Sequence, residues 1–262
     1  MIASQRGLQP LIVTFDVHPR KVLQSDYTPQ LLSTLEERKA LIGMYGEVLV
    51  LPFEQVQPMT ASEFIQHLHE EYAVDVLLMG YDHRFGSDRL RRPQDYRRLS
   101  GQYGIEVLTM GEFVEGEWHV SSTEIRQALE NGNIAVTNEL LGRPYDLTGT
   151  VVHGNGIGRT IGFPTANIVP DCPEKIIPRT GVYEVIVVQD GMRTKALCNI
   201  GTNPTVGNTE RTIEVYIPAF EGDLYGHRLT LLFTRFIREE HMFASLQELR
   251  NQIAEDAASI AR

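Results

Sequence analysis

Residues 149–168, GTVVHGNGIGRTIGFPTANI, constrain this chain more than any other stretch. They set five glycines, one proline and the polar pair Thr165 and Asn167 between the apolar Val151, Val152 and Ile168. That is loop chemistry held between two strands. Gly154, Gly156, Gly158 and Gly162 can take positive φ and turn backbone N–H groups toward an anion such as phosphate. An ordinary glycine-rich hairpin loop has the same composition. In Phe163-Pro164-Thr165-Ala166-Asn167 the proline pins the backbone, and a hydroxyl and a carboxamide follow at spacing two. On a strand both then share one face, where Thr165 and Asn167 can jointly hold a metal–phosphate, although the wet face of any strand looks alike.

Upstream, apolar runs at residues 11–17, 47–53, 74–80 and 105–110 alternate with helical patterns at 34–44, 60–72 and 93–103. This alternation predicts a parallel α/β sheet with ligands at the carboxyl ends of its strands. Residues 80–86 lie at one such end. There Asp82, His83 and Arg84 can meet a nucleotide, or the segment is a turn whose Phe85 plugs the core. Residues 120–126 open a helix over 123–131, with serine capping and Arg126 one turn in.

The segment 140–145 breaks the pattern and marks a boundary. Beyond it come short strands at 146–153, 181–189, 194–200, 212–217 and 227–238, which predict a small antiparallel barrel. An amphipathic helix over 245–260 packs on it. The expected fold is therefore α/β plus all-β, with domains at 1–140 and 141–262.

At 262 residues the chain can bury a proper core. With 24 Lys+Arg against 34 Asp+Glu, its net charge of −10 argues against sequence-independent binding to nucleic acid. The local cluster Arg84, Arg89, Arg91, Arg92, Arg97 and Arg98 reads as a solvated helix face or as a contact for a ligand phosphate. Cys172 and Cys198 make neither a disulfide framework nor a zinc set. No apolar run is long enough to cross a membrane, and no signal-peptide pattern is present. A soluble, cytoplasmic protein is expected.

The pattern GxVVHGxxxGRxIGFPTANI resembles the signature of the bacterial riboflavin kinase module. The resemblance implies that Gly154, Gly156, Gly158, Arg159 and Gly162 cover a nucleotide, and that Thr165 and Asn167 contact Mg²⁺ with ATP. In bacteria this module is usually the C-terminal half of a bifunctional riboflavin kinase/FAD synthetase. Glu214 in Thr-Ile-Glu-Val-Tyr resembles the family's general base for the riboflavin 5′-hydroxyl, although composition alone makes it an outward-facing glutamate. Asn199 in NIGxxPT resembles a site-lining turn. Asp223 and Tyr225 in FxGDLYG are implied to close on nucleotide or flavin. Arg238 in RxExxF is implied to meet flavin phosphate, with a salt bridge to Glu239 or Glu240 as the alternative. The implied small-molecule partners are riboflavin, ATP and FMN.

In the first half, GxDxRFG with Asp82 and Arg84, and SSTxIR with Ser121, Ser122, Thr123 and Arg126, resemble the nucleotide contacts of the FAD synthetase module. Family members also carry, ahead of the TFDxHP strand, a strand ending in a GxFDGxHxGH loop, whose two histidines stabilise the α-phosphate. This sequence has no match to it, since Phe15-Asp-Val-His18 aligns with TFDxHP instead. The resemblance therefore implies an incomplete Rossmann-like nucleotidyltransferase domain, short by about one βα unit, with unpaired strand edges and weakened adenylyl transfer. Three readings stay open: a riboflavin kinase, a fully bifunctional enzyme also making FAD, and a non-catalytic flavin-binding remnant.

Overall fold

The computed structural model describes residues 2–261 apart from Ser25, Tyr81, Glu112, Phe113, Gly116, Glu117, Asn155, Val206 and Gly207. The chain divides into two units, Met1–Pro29 with Ser33–Glu117, and Gln30–Leu32 with Trp118–Arg262.

In the first unit the apolar runs form β1 (Leu11–Phe15), β2 (Glu47–Leu51), β3 (Val76–Met79) and β4 (Glu106–Thr109). With them come α1 (Ile2–Arg6), α2 (Pro19–Leu23), α3 (Leu35–Ile42), α4 (Phe53–Val56), α5 (Ala61–Tyr72) and α6 (Pro93–Gly101). Helices α3 and α5 start where they do because Thr34 and Thr60 form reciprocal capping boxes with Glu37 and Glu63. β1 pairs in parallel with β2, and β3 with β4. Among the described residues these are two separate ladders rather than one continuous sheet. Met79, Tyr96 and Val107 form a small core against α5, and Phe85 packs onto it. The short strand β5 (Val114–Glu115) comes last in this unit.

The long segment of the second unit begins with the short strand β6 (Trp118–His119), followed by α7 (Ser122–Glu130) and α8 (Ile134–Leu141), the last not anticipated from the sequence. Then come β7 (Tyr145–Val152), α9 (Ile157–Thr160), β8 (Thr165–Pro170), β9 (Gly181–Gln189), β10 (Met192–Thr205), β11 (Asn208–Tyr216), β12 (Arg228–Arg238) and α10 (Leu246–Ile260). Six strands close a barrel in the order β10-β11-β8-β7-β12-β9, with every ladder antiparallel. Alternation decides which residues enter it. Tyr145 and Leu147 of β7, Tyr183, Val185 and Val187 of β9, and Leu229, Leu231 and Phe233 of β12 are all buried at spacing two. Each such side chain contributes about 1.5–3 kcal/mol of transfer free energy. The buried Tyr145 hydroxyl finds a partner, donating to the Ile176 carbonyl at 2.6 Å.

Two further pieces complete this unit. Residues 30–32 lie along Glu174–Ile176: Leu31 N donates to Glu174 O at 2.7 Å, Ile176 N donates to Leu31 O at 3.0 Å, and Leu32 packs on the barrel core. Helix α10, capped by Ser245, seats Ile253, Ala257 and Ile260 against Val182 and Leu197 on the outside of the barrel.

Candidate active site

On β10, β11 and β8 the residues that alternate with the core point outward. Cross-strand register sets Asn199 beside Glu214 and Glu214 beside Asn167, so three polar side chains form one row across three strands. Two residues along, Thr165 pairs with Tyr216 on the same face. Thr165 Oγ1 donates a hydrogen bond to Glu214 Oε2 at 3.1 Å. That bond leaves the hydroxyl lone pairs available to a cation.

The glycine-rich turn lies directly over this row. Of the four glycines, Gly156 and Gly162 have positive φ, at 69° and 84°. Gly154 and Gly158 do not, and close approach is what requires them. A Cβ at Gly154 would overlap the Asn167 carboxamide, and one at Gly158 would overlap the Phe163 carbonyl and come 3.3 Å from Thr165 Oγ1. The turn closes through Phe163 N donating to Gly158 O at 2.8 Å.

Two cavities flank the row. The first, about 300 Å³, is lined by Arg159, Pro164, Thr165 and the loop bearing Asp223 and Tyr225. Asp223 Oδ1 accepts from Tyr225 N at 2.9 Å, which shapes that loop. The Tyr225 ring stacks on His153 with centroids 3.8 Å apart, and Arg159 Nη2 reaches the Tyr225 hydroxyl at 3.5 Å. The second cavity, about 290 Å³, is lined by Thr165, Asn199, Glu214, Arg238, Glu240 and, from α10, Ile253, among others. Thr165 belongs to both. Behind Glu214, burial pushes the Cys198 thiol far above its ordinary range, and the glutamate's charge adds to the effect.

Arg238 lines the second cavity, but its guanidinium is already engaged. Nε and Nη2 donate to Asp256 Oδ2 at 3.0 and 2.8 Å, and Nη1 donates to Glu239 O at 3.1 Å. Its ion-pair partner is thus Asp256 on α10 rather than Glu239 or Glu240, and Glu239 pairs with Arg179. The signal was present in the sequence, since Asp256 falls on the apolar stripe of Ile253, Ala257 and Ile260, where a carboxylate needs a partner. Glu240 and His153 were also missed.

The other predicted contacts lie elsewhere. Asp82 and Arg84 are exposed on the loop after β3, and the neighbouring Phe85 is held by Tyr96, whose hydroxyl bonds both its N and its O. Ser121 caps α7, accepting from Glu124 N at 3.2 Å, with Ser122 and Thr123 exposed in the first turn. Arg126 donates to Gln30 O at 2.7 Å and Ser122 O at 3.1 Å. Asp82 and Arg84 belong to the first unit, and Ser121–Arg126 to the second.

A closed six-stranded barrel with a hydroxyl–carboxylate pair where two cavities meet, in a chain that also carries an α/β unit, fits an enzyme of the flavin-nucleotide class. The riboflavin kinase family model matches residues 141–262, and the FAD synthetase model matches residues 1–124. The bifunctional riboflavin kinase/FMN adenylyltransferase of Escherichia coli (strain K12) is 36% identical over 257 residues, spanning 96% of this chain and 82% of the relative. That of Bacillus subtilis (strain 168) is 35% identical over 272 residues, spanning 100% and 84%. A crystal structure from Streptococcus pneumoniae, described as a macrolide-efflux protein, superposes with a TM-score of 0.89 at 30% identity, covering 100% of this chain and 86% of its own. The chain belongs to the bifunctional riboflavin kinase/FMN adenylyltransferase family.

Among the described residues no helix is long and apolar enough to cross a membrane, and both cysteines are free.

Proposed function

We propose that the barrel unit transfers the γ-phosphate of ATP to the 5′-hydroxyl of riboflavin, giving FMN and ADP. The observation that carries this reading is Thr165, the hydroxyl shared by two cavities and bonded to Glu214. Phosphoryl transfer needs donor and acceptor sites that meet at the transferred group, a base for the acceptor's proton and positive charge on the phosphates. The first cavity, with Arg159, Asp223, Tyr225 and the turn of Gly154, Gly156, Gly158 and Gly162, takes ATP. The second, with Asn199, Arg238 and the apolar side of α10, takes riboflavin. Glu214 lines the acceptor side and receives the hydroxyl proton as the oxygen attacks.

A hydroxyl and a carboxamide oxygen are hard ligands that suit a divalent cation sharing its shell with phosphates, so Thr165 and Asn167 fit Mg²⁺. Bound there, the ion neutralises charge on the phosphates. The chain's own residues do the positioning. Gly154 and Gly158 let the turn close on the pair, and the Thr165–Glu214 bond fixes both side chains.

For the second activity in the family's name, Asp82, Arg84, Ser121, Ser122, Thr123 and Arg126 are the proposed nucleotide contacts. A reducing, cytoplasmic setting suits the two free thiols. Incubating the purified chain with riboflavin, ATP and Mg²⁺ and separating the flavins by chromatography tests both activities. FMN is the expected product of the barrel, and riboflavin left unchanged by folded protein refutes the kinase reading. FAD in the same chromatogram reports adenylyl transfer.

A further inference from the structure

One charged side chain of the acceptor cavity has no role in that scheme. Glu240 leaves the end of β12, yet its carboxylate reaches back to β10, where Oε1 lies 2.6 Å from the position a Cβ would take on Gly201. The backbone there is not left-handed, so glycine is required only for space. Thr212 Oγ1 and Asn199 Nδ2 border the same point at 3.3 and 3.4 Å. An acidic oxygen, a hydroxyl and an amide thus converge over a missing side chain. Gly201 pairs with Thr212, two residues along from the Asn199–Glu214 pair on the same outward face. Two residues of strand separate the groups by about 7 Å.

We infer that Glu240, seated in the space left by Gly201, binds hydroxyl groups of the acceptor next to the one that reacts, and so selects a flavin carrying a polyol chain. The inference rests on reading the second cavity as the acceptor site. The chemistry follows from the donors and acceptors present. A carboxylate takes hydrogen bonds from hydroxyls, the Asn199 amide gives one, and the Thr212 hydroxyl does either. Such groups favour an acceptor that brings hydroxyls over an analogue that lacks them, which leaves the exposed Glu240 carboxylate to water. The flavin ring has polar groups of its own, two carbonyls and an N3–H, but it carries no hydroxyl.

The test is fluorescence titration of the full chain, without ATP, with riboflavin and with lumiflavin, which has the same ring and no polyol. Gly201→Ala overlaps only the end of the flexible Glu240 side chain and presses lightly on Thr212 Oγ1 and Asn199 Nδ2, so it keeps the fold while moving the Glu240 carboxylate. Glu240→Ala removes that carboxylate. Both variants are expected to bind riboflavin about tenfold more weakly than wild type, with lumiflavin affinity unaltered. Unchanged riboflavin affinity in both, or equal weakening of the two flavins, overturns the assignment. Wild-type protein that binds neither flavin overturns the acceptor-site reading, and the Glu240 assignment falls with it. Wild-type binding with unaffected variants sinks Glu240 alone.

Discussion

Thr165 and Glu214 are single side chains on neighbouring strands, and the hydrogen bond between them ties the proposed metal side of the site to the proposed base. Replacing Glu214 with Gln keeps the size and a partner for Thr165 but removes the proton acceptor. FMN formation is therefore expected to fall by about 10²–10⁴-fold in kcat, with riboflavin affinity by fluorescence little changed. Retained kcat would dismiss Glu214 as the base. Gly154 offers a different probe. Its backbone accepts an alanine, yet the added methyl must displace the Asn167 carboxamide. A shift of this kind costs up to about a hundredfold in kcat/KM for ATP, and riboflavin binding measured alone should not respond.

At the level of elements, α10 walls the cavity proposed for the acceptor, and the Arg238–Asp256 pair fastens it together with the packing of Ile253, Ala257 and Ile260. Asp256 is 5% exposed, so removing one partner strands a charge in the interior. Asp256→Ala is expected to cost about 3 kcal/mol in urea unfolding and to raise hydrogen exchange along α10. Replacing both partners together, Arg238→Met with Asp256→Leu, should recover most of that loss. A double variant as unstable as the single one would mean that the pair is not the fastening. Legibility from sequence also differs by element. The strands at 181–189 and 227–238 and the final helix were readable because each buries one face at a fixed period. The row Asn199, Glu214, Asn167 was not, because register between β10, β11 and β8 is long-range information. Nor was Glu240, whose place depends on a missing Cβ on another strand. Helix α8 escaped because Ile134, Thr137 and Leu140 bury a short face next to the apparent break at 140–145. The first half read correctly as alternating strands and helices, while its division into two parallel ladders lies in pairing that no local pattern encodes.

For the molecule as a whole, two buried groups in the barrel set a pH limit. Burial raises Cys198 above its ordinary value of 9.0 and Tyr183 above its ordinary value of 10.0. Both stay neutral when folded, so the unfolded chain loses these protons first. Stability is then intact below about pH 9 and is lost as pH rises above it. Melting temperature should decline through pH 9–10, and a flat profile there would contradict this. At pH 8, mass spectrometry after alkylation should find only Cys172 modified until denaturant is added, since Cys198 is fully enclosed. The segment Gln30–Leu32, with its single bridge to Lys175, bears on the molecule differently. The chain leaves the first unit after Pro29, gives three residues to the barrel unit and returns at Ser33. The boundary between the units is thus crossed more than once by the chain. Any single cut after Leu32 takes from the barrel the edge paired with Glu174 and Ile176, and any cut before Gln30 carries most of the first unit along. Residues 118–262 on their own therefore present the backbone of Glu174 and Ile176 without the partner that Leu31 supplies.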